Sequence, residues 1–170
     1  VLDKIKDSGL AQKIGVSVYT NDEIEELLNH KNIDLIQLPF NLLDNEYQRK
    51  NILEKAKKRN IEIHTRSVFL QGLFFKDINT LTSCLLPLKN NISELSLILK
   101  NNNVSMESLA LNYPLNKMYV DKVLIGVDSL EQLKSNIKAT ENEFDKSIYK
   151  KIDSIQIRNT KILNPSNWKI

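Results

Sequence analysis

Short apolar runs of strand length alternate with amphipathic helical stretches along nearly the whole chain, and no other feature narrows the possible folds as far. Lys13 to Val18, Asp34 to Leu38, Ile61 to Thr65 and Lys122 to Gly126 read as strands. A helix over residues 2–9, closed by Gly9, precedes the first of them. Thr20 opens the next helix with Glu23 three residues on, a capping box, and Ile24, Leu27 and Leu28 form its buried stripe. Pro39 ends the second strand, and a helix from about Asn45 to Arg59 turns Ile52, Leu53 and Ala56 inward. Residues 66–103 begin as a glycine-containing loop and become helical around 91–101. Ser105 caps a helix carrying Leu109, Ala110 and Leu111. Ser129 opens another, with Gln132 completing a second capping box, and a last helix covers 142–157. Such alternation gives parallel strands joined by right-handed crossovers. Four of them fit either an open doubly wound sheet, as in a flavodoxin-like domain, or half of a barrel, and periodicity does not choose between these.

A chain of 170 residues suffices for one domain with its own core, taken here as residues 1–170. Its 41% hydrophobic and 26% charged residues are those of an ordinary globular protein. A net charge of +3, evenly spread, argues against a nucleic-acid or anionic-membrane partner. The densest basic run, Lys55, Lys57, Lys58 and Arg59, falls where a helix ends, and cations there complement the helix dipole. Cys84, the one cysteine, excludes a disulfide framework within the chain and reads as apolar filler. A lone thiol fits a reducing compartment, so a cytoplasmic location is expected. No apolar run reaches the ~20 residues of a membrane span. Neither His30 nor His64 has a metal-ligand partner at useful spacing, and no metal is implied. His64 shares strand parity with Glu62 and Arg66 and is expected as a hydrogen-bonded inward residue. The chain opens without Met and without a helix cap, which reads as a fragment.

Four segments, each at the end of a strand, then add chemistry. They are Ile14-Gly15-Val16-Ser17-Val18-Tyr19, Ile36-Gln37-Leu38-Pro39-Phe40-Asn41-Leu42-Leu43-Asp44, Thr65-Arg66-Ser67-Val68-Phe69-Leu70-Gln71-Gly72-Leu73, and Ile125-Gly126-Val127-Asp128-Ser129-Leu130-Glu131-Gln132-Leu133 with Asn136. Together and in this order they resemble the aldo/keto reductases, whose fold is a (β/α)8 barrel of the TIM type. The resemblance implies an α/β partial barrel of about four parallel βα units, strands five to eight, with extra helices. Ligands of such barrels bind at the C-terminal strand ends, where these segments lie.

The resemblance also implies an activity and a site. The family transfers hydride between a nicotinamide cofactor, NADP or NAD, and a small carbonyl or alcohol substrate. Ser17 and Gln37 match residues that hold the nicotinamide carboxamide; Val18 stands where an Asn is usual, so one amide contact is missing. Arg66 takes the position of the side chain that stacks under the nicotinamide ring. Ser67, Phe69, Gln71 and Gly72 match the loop that passes the pyrophosphate. Gly126, Ser129, Gln132 and Asn136 match the adenosine end. Asp128 stands where many members carry Arg or Lys beside the adenosine 2′-phosphate, and Gln132 replaces an Arg of some branches; both tilt away from strict NADP preference. The family's catalytic Asp, Tyr, Lys and His come from the first half of the barrel, so no catalytic residue is expected here. A second reading is a non-catalytic half-barrel serving as a binding module or subunit. Gly15 and Gly126 also allow a purely structural reading, as sites of tight strand packing.

Overall fold

The structure, a computed structural model, describes residues 1–168. Among these residues seven α-helices and four strands follow one another in the expected order: α1 (Leu2–Asp7), β1 (Gly15–Ser17), α2 (Asn21–Leu27), β2 (Leu35–Pro39), α3 (Glu46–Lys58), β3 (Glu62–Arg66), α4 (Lys89–Asn102), α5 (Met106–Leu115), β4 (Lys122–Val123), α6 (Leu130–Thr140) and α7 (Lys146–Asp153). Helix starts follow the capping residues. Thr20 and Glu23 form the full box at α2, and Asn45 and Ser105 accept from backbone amides at the starts of α3 and α5. Gly9, at φ +76°, carries the left-handed turn that ends α1.

The strands form one sheet in the order β1-β2-β3-β4, every pair parallel. Register places Ser17, Gln37, His64 and Lys122 across one row, and Val16, Ile36 and Ile63 across a row of the other face. Ile36, Leu38, Ile63 and Thr65 are completely buried. The three aliphatic ones share one apolar core with Ile24, Leu53, Ala56 and Leu109 of the helices. On the opposite face Ser17 is exposed, and Leu35, Gln37, Glu62, His64 and Arg66 are half-buried. Helices therefore cover one face, as in a barrel wall. A flavodoxin-like sheet, covered on both faces, does not fit.

Several expected boundaries move; β1 is only Gly15–Ser17, and three other shifts have a local reason. β4 stops at Val123 instead of Gly126. Leu124 still donates to the Thr65 carbonyl, but β3 turns away at Ser67 (φ 59°), so Ile125 and Gly126 have no strand to pair with. Pro39 is the last residue of β2 rather than its terminator: it pairs with Arg66, and Phe40 donates the next amide to the Arg66 carbonyl. The last helix is shorter than 142–157, and residues after Asp153 return across α3. There the Asn45 side-chain amide donates to the carbonyls of Ile152 and Ile155. Residues 70–88 resolve into 3-10 turns.

The two glycines considered for strand packing part company. A Cβ on Gly15 would fall inside contact distance of Leu35 Cγ and the Leu35 carbonyl oxygen, whereas at Gly126 it would meet nothing within 4 Å. Gly15→Ala should therefore destabilise the chain by about 1–3 kcal/mol, the usual range for forced overpacking. Gly126→Ala should stay within about 0.5 kcal/mol. Urea unfolding midpoints of the two variants against the parent check this. Equal midpoints would mean that β1 and β2 separate easily at Gly15.

Candidate cofactor site

The end of β1, the middle of β2, and the end of β3 with the loop that follows it carry seven of the sequence-nominated residues: Ser17, Gln37, Arg66, Ser67, Phe69, Gln71 and Gly72. Ser17 and Gln37 are direct neighbours in register on the uncovered face of the sheet. Arg66 closes β3 with the same parity as His64, and its guanidinium lies over the Tyr19 ring at 4.3 Å from the centroid. That stacking combines cation–π attraction with the planarity of the guanidinium. The Arg66 guanidinium also donates to the Ser67 hydroxyl at 3.3 Å. Phe69 lies in the same loop, which is wound tightly: Ser67, Leu70 and Gln71 have φ of 59°, 45° and 53°, followed by Gly72 at 74°. Left-handed backbone costs a non-glycine residue about 1–2 kcal/mol. Three such residues in one loop mark the kind of strain that surrounding contacts hold at binding loops.

Those contacts come from residues the sequence did not nominate. Asn41 accepts the amides of Leu43 and Asp44 on its side-chain oxygen and donates from its nitrogen to the Ser67 carbonyl at 3.2 Å. The segment Pro39-Phe40-Asn41 is thus both a turn and a brace for the Ser67 loop. Arg49, on α3, forms a bidentate pair with Asp44 at 2.7 Å and donates to the Tyr19 carbonyl at 2.6 Å and to Asn21 at 2.7 Å. Burial raises the pKa of the Asp44 carboxyl, and the neighbouring Arg49 charge opposes that shift. Arg49 shares the spacing of Ile52, Leu53 and Ala56, all turned to the core, so its position on that stripe is the signal that could have singled it out. A cleft of about 370 Å³ opens beside Tyr19 and Pro39, between the start of α2, α3 and the turn at Thr160 and Lys161.

The remaining nominated residues lie around α6. A small apolar cluster of Val68, Leu111 and Ala139, with Phe69, Val123 and Ile125 against it, joins the Ser67–Gly72 loop to α5 and α6. Ser129 caps α6 by accepting from the Gln132 amide at 3.1 Å. The expected second box is only half formed, because the Gln132 side-chain oxygen accepts from Asp128 N–H instead of the cap's own amide. Gly126 is exposed in the loop before it. Asn136, on the same helical face as Ser129 and Gln132, is 2% exposed, and its side-chain nitrogen has no hydrogen-bond partner among the described residues. Buried polar atoms are nearly always paired, and this donor, closed off from solvent, is an exception.

On the uncovered face His64 and Lys122 continue the row of Ser17 and Gln37 across β3 and β4, and Glu62 lies nearer the start of β3. Glu62 and Lys122 open β3 and β4. Glu62 binds the His64 ring at 2.7 Å, Lys122 at 3.0 Å and Lys13, and these partners hold its carboxyl well below the usual range. His64 is the hydrogen-bonded inward residue expected. The basic run at the end of α3 is tied by surface contacts, Lys55 to Glu25, Lys57 to Asp121 and Arg59 to the His30 carbonyl. Cys84 is half-buried at the margin of the core rather than fully buried. Among the described residues no cluster of metal-ligating side chains occurs, and no helix is long and apolar enough to cross a membrane.

Comparison with known proteins decides the family. The profile of the Aldo/keto reductase family matches residues 1–157. The chain belongs to the aldo/keto reductase family. Solved aldo-keto reductases share its fold at low identity. AKR11C1 from Bacillus halodurans superposes with a TM-score of 0.69 at 20% identity, over 90% of this chain and 54% of that one. The thermostable aldo-keto reductase Tm1743, solved with the inhibitor epalrestat, gives 0.67 at 24% identity, over 91% and 52%. A further solved structure, that of Gox0644, gives 0.65 at 15% identity, over 94% and 52%. This aldo/keto reductase chain thus spans about half the length of the reductases it resembles. No curated protein matches it.

Proposed function

We propose that the chain holds the nicotinamide cofactor of an aldo/keto reductase, contributing the binding half of the barrel and none of the catalytic Asp, Tyr, Lys and His. The observation that supports this reading is that Ser17, the last residue of β1, pairs in register with Gln37 on the uncovered face, with Arg66 stacked on Tyr19 two positions further along the sheet. When bound, the cofactor, NAD or NADP, supplies or accepts the hydride exchanged with a small carbonyl or alcohol. The chain's own residues bind and orient it. The Ser17 hydroxyl and Gln37 amide together offer donors and an acceptor, the set a carboxamide requires. Arg66 presents a flat guanidinium to a flat ring. The Ser67, Phe69, Gln71 and Gly72 loop allows close backbone approach to a pyrophosphate, and the Ser129-capped start of α6 favours negative charge. Gly126 leaves open space before that helix, Gln132 fixes the loop through Asp128, and Asn136 shares the helical face of Ser129 and Gln132 at the adenosine end.

Calorimetric titration of the chain with NADH and NADPH tests this. One hydrogen bond contributes about 0.5–1.5 kcal/mol. Gln37→Ala and Asn136→Ala should therefore each weaken binding by about 2- to 12-fold. Absence of binding, or binding indifferent to both substitutions, would remove the cofactor from this rim.

A further inference from the structure

The two ends of the sheet are left with opposite deficits. Among the described residues β1 pairs only with β2 and β4 only with β3, so each presents an unpaired edge. Val16 of β1 lies in one row with Ile36 and Ile63, which are completely buried, yet is itself only half-buried: the outer face of β1 is incompletely covered. At the other end α6 has the reverse lack. Its buried side is tied to α5, where the Ser108 hydroxyl and the Asn112 side-chain amide donate to the Ala139 carbonyl. Helical spacing turns Leu130, Leu133 and Ile137 to another side, and all three are exposed, as are Leu124 and Val127 in the segment that leads from β4. A contiguous apolar stripe of this kind marks an interaction surface. A strand short of a helix and a helix short of a strand thus stand at opposite edges of one sheet.

From this we infer that a second copy of the chain closes the sheet into an eight-stranded barrel. A two-fold axis along the barrel sets β4 of each copy parallel to β1 of the other and lays each α6 stripe over the outer face of that β1. Both joints are identical, as a two-fold operator requires, and no strand edge remains unpaired, a condition that barrels meet by closing. The chain spans about half the length of the reductases it resembles, so two copies supply the eight strands of that fold. Lys13 and Lys122, near the starts of the two edge strands, each pair with Glu62 of their own sheet, which offsets the repulsion between them across a joint. A partner that covered only the inner face of the sheet would leave the α6 stripe open; a second copy meets both deficits with one kind of joint. This assembly does not depend on the cofactor site proposed above.

Sedimentation equilibrium of the 170-residue chain reads the joint. At about 50 μM, above the micromolar Kd of the weaker interfaces of standard size, the parent should have twice the mass of one chain and form no heavier species. Leu133→Glu combined with Ile137→Glu places two carboxylates in each joint and should raise the Kd by on the order of 100-fold or more. Its far-UV circular dichroism should stay that of the parent, since both side chains are exposed in the single chain. Glu94→Lys, at an exposed position of α4, should leave the dimer intact. A monomeric parent overturns the assembly and leaves the α6 stripe to a different polypeptide. A dimer unmoved by the α6 substitutions overturns it as well. So do oligomers that keep growing with concentration, because a closed two-fold barrel stops at two copies.

Discussion

Replacing Arg49 by Ala should cost the fold about 3–5 kcal/mol, the usual penalty for stripping one member from a buried ion pair. The side chains of Arg49 and Asp44 are 8% and 4% exposed, and the guanidinium makes four hydrogen bonds to Asp44, Asn21 and the Tyr19 carbonyl. Without Arg49 the Asp44 carboxylate is left charged in the interior. Burial already raises its pKa, and losing the opposing charge raises it further. A carboxyl with a raised folded pKa stabilises the fold below its unfolded value and loses that contribution as pH rises through the folded one. The deficit of the variant relative to the parent should therefore be largest at neutral pH and shrink in acid. Replacing both partners together, Asp44→Leu with Arg49→Met, should recover part of the loss, since no charge then remains buried. Urea unfolding at pH 7 and pH 4 reads all three. An Arg49→Ala deficit below 1 kcal/mol at neutral pH would mean that water reaches Asp44.

How much of this molecule could be read from its sequence depends on how local each feature is. Strand alternation and the spacing of Ile24, Leu53 and Ala56 are local signals, and four parallel strands in sequence order with helices on one face are what they produced. Motifs at strand ends were legible for the same reason. β4 was read three residues too long because its length depends on where β3, some sixty residues earlier, turns off at Ser67. The stretch 70–88 has no period to read, since consecutive left-handed residues and short 3-10 turns replace a helix there. The half-formed box at Ser129 has the composition of a full one; only geometry shows Gln132 reaching Asp128. Lys117 was not legible at all. It joins Glu46 and Asp153, 71 and 36 positions away, and no pattern along the chain announces such a pairing.

That pairing bears on the largest effect expected. Given NADH or NADPH with a panel of aldehydes and ketones, the 170-residue chain should show no turnover. A carbonyl that accepts hydride gathers negative charge on oxygen and needs a proton donor within hydrogen-bond reach; positioned acids contribute about 10²–10⁴-fold, and oxyanion donors a similar factor each. The structure does contain a tyrosine beside an ammonium, with Lys117 Nζ 4.6 Å from the Tyr113 ring centroid. Its surroundings are those of a structural pair. Tyr113 is completely buried, stacks on Phe40 and donates its hydroxyl proton to Asp153 at 2.6 Å. Burial and the Asp153 charge raise its pKa, the reverse of what a proton donor to a developing alkoxide requires. Tyr119, also buried, is shifted the same way by burial and the nearby carboxylates of Glu46 and Asp153. Tyr19 alone of the tyrosines sits at the proposed site, and there its ring face is occupied by Arg66. Measurable turnover that disappears in Tyr19→Phe would place the acid in this half of the barrel and show that the chain reduces carbonyls by itself. Turnover that survives Tyr19→Phe but not Tyr113→Phe would instead require the helical layer to open around a phenol that is closed off in this structure.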